Sequence, residues 1–350
     1  MTAESAPARR GSVTRDDVAR LAGVSTAVVS YVVNGGPRPV SAATAARVRD
    51  AIDRLGYRPN TNARALAVGS TKTLGLVVPD STNAFFAEYA REIQRVATEL
   101  GYAVLITNTG FDPAVELRCM IDLCDRQIDG LLLARATGQS RVGELSRRGL
   151  RTPVVLIDAM TPFPGYTTVG ADAAGGAEGV VEHLLDLHGH ASVALVVGES
   201  VDPAGDGRER GWTQAHARAG RRLGAVERTA FSRQGGYEAG LRLLQRDGDD
   251  RPTAVFVSSD IQAIGFLRAA HELGLDTPGQ IAVGSFDDSD ESRFCWPPLT
   301  TARQPTTAMA EAAVGAVLRQ DVEAEHQVFG MDLVVRRSCG CSTGAPPLIS

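Results

Sequence analysis

The chain has 350 residues, of which 43% are hydrophobic and 22% charged, with a formal net charge of −5. This length and composition predict a globular protein with more than one core. The sequence contains no apolar run of about 18 residues or more and begins without the apolar segment of a secretory signal, so we expect a cytoplasmic protein without membrane contact. An odd number of cysteines without framework spacing favours reduced thiols.

Charge is divided unevenly along the chain. Residues 1–72 hold 11 basic and 5 acidic side chains, whereas residues 73–350 hold 25 and 36. The charged side chains of both segments could simply be solvated surface. However, a basic N-terminal segment before an acidic remainder is typical of a nucleic-acid-binding head on a body that does not bind nucleic acid. Residues 1–13 are small and polar, which predicts a disordered tail whose Arg9 and Arg10 could touch phosphate.

The first ordered segment predicts two short helices joined by a tight turn. Thr14 with Asp17 resembles a capping box at the start of the first helix. Gly23 supplies the left-handed backbone that a sharp turn needs, and Ser25 is a good N-cap for a second helix. The expected apolar face of the first helix consists of Val18, Leu21 and Ala22.

The second predicted helix starts near Thr26, although its many valines alone would favour a strand. Helical spacing places one group of side chains against the core, and these are Val28, Val29 and Val32. The opposite face is expected to point outward, and it carries Thr26, Ala27, Ser30 and Tyr31. The pattern fits a helix-turn-helix, with an ordinary helical hairpin as the alternative.

A third helix follows, capped by Ser41 and stopped by Gly56. Its apolar face should carry Val48, Ile52 and Leu55. The chain then reads Tyr57-Arg-Pro-Asn60, followed by a short candidate helix over 63–68.

Four of these segments together resemble the lactose-repressor (LacI/GalR) family of bacterial transcription regulators: Asp17–Ser25, Val32–Asn34, Leu55–Asn60 and Ala63–Leu66. The resemblance implies a homodimer or larger assembly that binds pseudo-palindromic operator DNA, more often as a repressor, and that responds to a small effector. The residues expected to contact DNA are Thr14, Ser25, Thr26, Ala27, Ser30, Tyr31, Asn34, Tyr57, Asn60, Ala63, Arg64 and Leu66.

The linker over residues 59–72 is expected to act as a hinge. Residues 63–68 are too few for a stable isolated helix, so we expect this helix to form only on DNA. The resemblance implies that two such helices pair in the minor groove, where Leu66 opens a base step and kinks the duplex. Alternatively, Leu66 is linker that packs against the body.

Beyond the linker, short apolar runs alternate with amphipathic stretches, which predicts parallel α/β architecture. The predicted strands are Leu74–Val78, Ala103–Thr107, Gly130–Leu133, Val154–Ile157, Val193–Val197, Ala225–Thr229, Ala254–Val257 and Ile281–Ser285. Helices are predicted between the strands, and examples are Ala87–Leu100, Pro113–Arg126, Gly175–Leu187, Arg208–Ala219, Tyr237–Arg246 and Ile261–Leu273. The Pro- and Gly-rich segment Asp158–Asp172 interrupts the alternation and favours two lobes.

The resemblance implies the two-lobed fold of periplasmic sugar-binding proteins, with chain crossings near Asp172, near Thr300–Pro305 and close to the C-terminus. The predicted fold is therefore a small all-α helix-turn-helix head with a two-lobed α/β body of parallel sheets flanked by helices. The expected domains are the head over 14–58, the hinge, the body over 73–340 and a tail over 341–350. Lobe one covers about 73–172 and 304–326, and lobe two covers about 173–302 and 328–340.

Ligands of open α/β sheets bind beyond the carboxyl ends of the strands, so polar residues there are the candidates for an effector site. The expected effector-binding residues are Asp80, Asn83, Phe85, Arg208, Asp260 and Asp287. Arg208 opens a helix and matches the arginine that the family aims at an effector. The aspartates could instead be helix caps, and Phe85 could belong to the core. The expected effector is a sugar or a similar polar metabolite.

Enzymatic motifs are weak in this sequence. Gly205–Gly211 lacks the dinucleotide spacing, no loop ends in Gly-Lys-Ser/Thr, and Ser258 and Ser259 lack a nucleophile elbow. The alternative function is a cytoplasmic small-molecule-binding protein or α/β enzyme without DNA binding.

Two short motifs suggest metal ligands. Cys339-Gly-Cys341 could bind a metal or sense redox state, and His188-Gly-His190 could also bind a metal. Neither has a matching His/Cys pair nearby in the sequence. We therefore favour free thiols and a helix-end turn, and we expect no cofactor.

Overall fold

The computed structural model describes residues 13–34, 38–58, 69–134, 141–198, 206–319 and 323–342. The chain divides into two compact units, residues 1–71 and 72–350, here called the head and the body. No helix among the described residues is long and apolar enough to cross a membrane.

The head consists of three helices, α1 (Arg15–Ala22), α2 (Thr26–Asn34) and α3 (Ala42–Leu55). Thr14 and Asp17 form the predicted capping box, and Ser41 caps α3. The backbone of Gly23 is left-handed, with a φ of 63°. A residue with a Cβ is strained in this conformation, so glycine permits the tight turn between α1 and α2. The predicted helix-turn-helix and its caps are confirmed.

The core of the head differs from the predicted faces at two positions. Leu21 is 46% exposed, whereas Val18, Ala19 and Ala22 are buried. At 100° per residue, Leu21 lies about 100° from the mean direction of those three, so the prediction for Leu21 was wrong. In α2, Val29 is buried, and Val33 packs against the core where we expected Val28.

The body contains two six-stranded sheets. Sheet one has the spatial order β11 (His326–Phe329), β5 (Thr167–Ala171), β4 (Val154–Ile157), β3 (Gly130–Ala134), β1 (Thr73–Val78) and β2 (Ala103–Asn108). Sheet two has the order β12 (Asp332–Val334), β10 (Thr300–Arg303), β9 (Ala282–Asp287), β8 (Ala254–Val257), β6 (Ala194–Gly198) and β7 (Val226–Thr229). Strand β12 is antiparallel to β10, and every other pair is parallel.

Helices connect the strands and cover the sheets. Those of the first half are α4 (Ala84–Glu99), α5 (Pro113–Asp125), α6 (Gly143–Arg147) and α7 (Ala173–Glu182). Those of the second half are α8 (Gly207–Ala219), α9 (Arg233–Leu244), α10 (Asp260–Glu272), α11 (Asp290–Phe294) and α12 (Thr306–Leu318). Helix α7 continues into a π-helical turn, His183–Leu187, where we predicted uninterrupted helix.

The chain passes between the sheets three times. It leaves sheet one after β5, and α7 packs in the core of the second sheet. After β10 it returns, because α12 packs with α4 in the core of sheet one. Strand β11 extends sheet one to Phe329 before β12 joins sheet two, so this last passage lies at residues 330–331. Lobe one and lobe two denote the halves of the body built on sheet one and sheet two.

The predicted strands are all present, with ends shifted by at most two residues. Seven elements were not among those predicted, the strands β5, β10, β11 and β12 and the helices α6, α11 and α12. The first four are short and contain polar residues, for example Thr-Thr-Val-Gly-Ala in β5. Hydrophobic runs identify strands buried on both faces, and these segments lack such runs.

Candidate functional site

The N-terminal part of α2 forms an exposed face on the head. Thr26 and Ala27 are exposed, while Ser30 and Tyr31 are half-buried one turn further along. Val29 points the other way and is 1% exposed. The packing of Val29 therefore orients α2 so that its first turn is accessible to another molecule.

Other residues expected at this surface have different surroundings. The Tyr57 side chain belongs to the head core and is 9% exposed, so its ring mainly packs the three helices together. Thr14 and Ser25 are exposed, and each accepts a hydrogen bond from a backbone N–H of the helix that follows it. The side chain of Asn34 lies outside the described part of the chain. The same is true of the four linker residues expected to contact DNA, which are Asn60, Ala63, Arg64 and Leu66.

In the body, residues near the carboxyl ends of the strands of the two sheets meet at the boundary between the lobes, here called the cleft. Phe111 follows β2 of lobe one, and Phe231 follows β7 of lobe two. Their rings stack with centroids 6.5 Å apart. The Glu88 carboxylate accepts a hydrogen bond of 2.8 Å from the backbone N–H of Asp290, which also links the lobes. Residues at these strand ends can thus contact one ligand together.

Arg208 lies at the first turn of α8 and is 8% exposed. Its Nε and Nη2 donate to the two carboxylate oxygens of Asp206 at 2.9 and 2.7 Å. Its Nη1 donates to the Ser258 carbonyl oxygen at 2.9 Å, and its guanidinium lies 4.8 Å from the centre of the Phe231 ring. These bonds use three of the five N–H groups of an arginine, and the other two have no hydrogen-bond partner among the described residues.

Asp206 and Arg208 keep each other charged. Burial by itself raises the pKa of Asp206, but the Arg208 guanidinium outweighs burial and lowers that pKa. Burial likewise opposes the charge on Arg208, and Asp206 raises the arginine pKa in compensation. The bidentate pair fixes the direction of the guanidinium, so its remaining N–H groups are oriented before any ligand arrives.

Asp287 ends β9 close enough to Arg208 to interact electrostatically. Its Oδ1 accepts a hydrogen bond of 2.8 Å from Gln304, and burial followed by repulsion from Asp260 raises its pKa well above the usual value. The φ of Asp287 is 113°, a strained backbone for a residue with a Cβ. Such strain is concentrated at ligand sites and switch regions, and it agrees with the predicted role of Asp287.

Asp260 has a different role from the expected one. Its carboxylate is 1% exposed and accepts hydrogen bonds from the Ser285 hydroxyl, the Ser289 N–H and hydroxyl, and the Thr301 hydroxyl. Four donors occupy the four lone-pair sites of a carboxylate. Asp260 therefore joins the ends of several elements in lobe two and has no acceptor left for an effector.

The three candidates after β1 also serve mainly local structure. Asp80 accepts from the N–H and hydroxyl of Thr82, and Asn83 caps α4. Phe85 is 4% exposed and packs in the lobe-one core against Phe86 and Tyr89. The core alternative for Phe85 is thus the one that the structure supports.

The sequence analysis missed several residues of the cleft. Asp158 directly follows β4 and interacts electrostatically with Arg208 and Asp287. The strand-end rule would have found it, but we treated that segment only as a break between lobes. No sequence motif predicts that Asp206, Phe111 and Phe231 lie at the cleft. The buried hydroxyls of Tyr89 and Thr109 have no hydrogen-bond partner among the described residues.

Comparisons with known proteins agree with this architecture. Residues 14–60 match the model of the lacI family of bacterial regulatory proteins, and residues 181–339 match a periplasmic binding protein-like domain. The ribose operon repressor of Escherichia coli K12 is 34% identical over 88% of this chain and 92% of its own length.

Two solved structures extend the similarity to the fold. A Lac repressor dimer bound to operator and the anti-inducer ONPF matches with a TM-score of 0.81 and 27% identity, covering 94% of this chain and 99% of that one. A LacI family regulator from Enterococcus faecium with bound ribose matches with a TM-score of 0.66 and 26% identity, covering 76% and 98%. The helix-turn-helix head, the two-lobed body and these relatives show that the chain belongs to the lacI family of bacterial transcriptional regulators.

Proposed function

We propose that this regulator binds operator DNA through the exposed first turn of α2 and that a small polar effector between the two lobes changes its operator affinity. The observation that carries this proposal is Arg208, a buried and oriented guanidinium at the cleft with two N–H groups left for a ligand. Asp206 pairs the buried charge and orients the guanidinium, so its remaining N–H groups can donate to a ligand without a further charge partner.

The groups at the cleft suit a sugar. The carboxylates of Asp158 and Asp287 accept from hydroxyls, Arg208 donates to them, and aromatic rings cover the apolar face of a sugar ring. The ribose operon repressor and the ribose-bound relative are named for ribose. We therefore propose a sugar or a closely related polyhydroxylated metabolite as the effector.

We also propose that the cleft binds its ligand without transforming it. Burial raises the pKa of Asp260 to about 7, a value suited to a general acid. However, this carboxylate already accepts four hydrogen bonds inside lobe two. It has no free oxygen with which to reach a substrate, which supports ligand binding over acid catalysis by this carboxylate.

Fluorescence anisotropy with DNA from the gene's own upstream region tests the proposal. The full chain should bind this DNA specifically, and one of a set of free sugars, starting with D-ribose, should change the affinity. Equal binding to unrelated DNA of the same length, or the same operator affinity with every sugar, would count against it. A matched thermal shift should identify the active sugar, because a ligand at 100 times its Kd adds about 2.7 kcal/mol to stability.

Base preference should depend on Tyr31. A phenol makes one hydrogen bond, whereas arginine makes the bidentate contact that reads guanine. We expect site selection with Tyr31→Arg to yield a consensus that differs from the parent's at one symmetric position per half-site. Asp53→Ala, which alters an exposed residue on α3, should leave the parent's consensus unchanged. Identical consensus sites for the parent and Tyr31→Arg would contradict a base-reading role.

A dimer interface is proposed along the β2 edge of sheet one. Three large apolar side chains are exposed there, Leu100 at 52%, Leu105 at 40% and Ile106 at 37%. Exposed edge strands with apolar side chains favour association. A matching structure is a Lac repressor dimer, so a second copy of this chain is the proposed partner.

Leu105→Glu should shift the protein from dimer to monomer in analytical ultracentrifugation. A buried, unpaired carboxylate costs about 3 kcal/mol, roughly a hundred-fold in the dimer dissociation constant. Val328→Glu is the control, because Val328 is 51% exposed on β11 at the opposite edge of the same sheet. Dissociation by Val328→Glu in place of Leu105→Glu would refute the proposed interface.

The hinge over 59–72 remains a prediction. Residues 59–68 lie outside the described part of the chain. We propose on the resemblance alone that this segment couples the head to the body and that Leu66 acts at the minor groove.

A further inference from the structure

Four potential metal ligands converge in lobe two, and none of them is among the cleft residues described above. They are His183, His188, Cys339 and Cys341, and their ligand atoms all lie within 4.8 Å of one another. None of them was assigned a role in binding DNA or an effector. More than 150 residues of sequence separate the histidines from the cysteines.

The backbone explains how each pair faces the cluster. His183 begins the π-helical turn and His188 follows its end. In an α-helix, residues five apart diverge by about 140°, but a π-helix repeats from residue i to i+5 and brings the two rings onto one side. Gly340 separates the cysteines with a φ of 103°, which lets the chain reverse direction between the two sulfur atoms.

Four of the six distances between the ligand atoms match the edges of a tetrahedron around one zinc ion, and the other two are within 4.8 Å. Zinc bond lengths of about 2.05 Å to nitrogen and 2.3 Å to sulfur require about 3.3 Å between two nitrogens and about 3.6 Å between nitrogen and sulfur. The two Nε2 atoms are 3.3 Å apart. His183 Nε2 lies 3.3 Å from Cys339 Sγ and 3.6 Å from Cys341 Sγ, and His188 Nε2 lies 3.4 Å from Cys341 Sγ.

We propose that His183, His188, Cys339 and Cys341 bind one zinc ion in a closed, four-coordinate structural site. Two sulfur and two nitrogen ligands in tetrahedral spacing favour Zn²⁺ over harder cations. Four protein ligands leave no position for water, so this site holds structure and performs no catalysis. The site joins the two cysteines, which follow β12, to the π-helical turn at the end of α7.

The surroundings of Cys339 support this assignment. Cys339 is 2% exposed, and the Thr300 hydroxyl donates to its sulfur at 3.0 Å. The Thr300 hydroxyl therefore holds the sulfur in place from outside the ligand set, as partners of metal ligands commonly do.

Metal analysis of the full chain, purified under reducing conditions and without a histidine tag, tests the site. We expect about one zinc per chain by inductively coupled plasma mass spectrometry. After zinc is exchanged for cobalt, tetrahedral Co²⁺ bands and a thiolate charge-transfer band should appear. Less than about 0.1 zinc per chain after incubation with ZnCl₂ and desalting, or a Co²⁺ spectrum without thiolate bands, would overturn the proposal.

Matched variants distinguish this site from surface binding. His188→Ala and Cys341→Ser should each reduce the zinc content at least ten-fold and abolish the thiolate band. His190→Ala and Cys119→Ser are the controls and should keep both, because His190 contacts Thr253 and Cys119 lies in lobe one. Equal zinc content in all four variants would refute the assignment.

Thermal unfolding gives a second readout. Chelation should lower the Tm of the parent protein, and ZnCl₂ should restore it. The Tm of Cys341→Ser should be low and insensitive to chelator. If the Tm of the parent does not change on chelation while zinc leaves, the ion does not stabilise lobe two and the structural role is wrong.

Discussion

Arg208→Lys is expected to weaken effector binding about thirty-fold while specific operator binding stays within a few-fold of the parent. Lysine keeps a positive charge beside Asp206, so the fold is retained. It loses the planar fork that donates to both Asp206 oxygens and to the Ser258 carbonyl, and with it the oriented N–H groups at the cleft. The loss of one charge-assisted hydrogen bond to the ligand weakens the free energy of effector binding by about 2 kcal/mol, which corresponds to about thirty-fold in Kd.

Isothermal titration with the sugar found by thermal shift measures this effect. Arg228→Lys is the matched control. Arg228 lies on β7 and forms an exposed ion pair with Glu209, the neighbour of Arg208 on α8. Its effector Kd should match that of the parent. Unchanged effector affinity in Arg208→Lys would remove the arginine from the proposed site, whether or not the protein still binds DNA.

Val29→Asp is expected to abolish specific DNA binding and leave effector binding intact. Val29 is 1% exposed in the core between α1, α2 and α3. An unpaired carboxylate there costs at least about 4 kcal/mol. The free energy of unfolding of a head of about 45 residues is roughly 2–7 kcal/mol, so the head should be unfolded in most molecules of this variant. The body has its own cores and should remain folded.

Leu21→Asp provides the control within the same motif. Leu21 is 46% exposed, so an aspartate there remains hydrated and should change head stability by less than about 1 kcal/mol. Anisotropy with operator DNA reports binding, and hydrogen exchange at α1 and α3 reports the fold of the head. Normal operator binding by Val29→Asp, or an unfolded head in Leu21→Asp, would contradict the observed packing.

The head could be predicted from local signals because its boundaries depend on neighbouring residues. The Thr14 capping box, the left-handed Gly23 and the Ser41 cap act within a few residues, and each is present in the structure. The valines of α2 favour a strand locally, yet the segment is helical. Its helical spacing buries Val29 against the neighbouring helices, and this packing outweighs the weak propensity of each residue.

The effector cleft could be predicted only in part. Arg208 and Asp287 came from the family resemblance and the strand-end rule, and the structure places both at the cleft. Asp260 obeys the same rule but is surrounded by hydroxyl donors from β9, β10 and the segment after β9. A strand-end position does not specify whether a carboxylate faces the cleft or the interior, because partners distant in sequence decide its direction.

The sequence by itself determined the helix-turn-helix, the alternation of strands and helices and the family, because these depend on periodicity and on caps a few residues apart. The tertiary structure decided which polar groups meet. His188-Gly-His190 and Cys339-Gly-Cys341 each lacked a partner nearby in the sequence, yet the fold joins one histidine of the first pair and both cysteines to His183. His190 is excluded and bonds to Thr253 instead. Ligand spacing around an ion is set by three-dimensional distance, and only the packing of the C-terminal segment on the π-helical turn creates that distance.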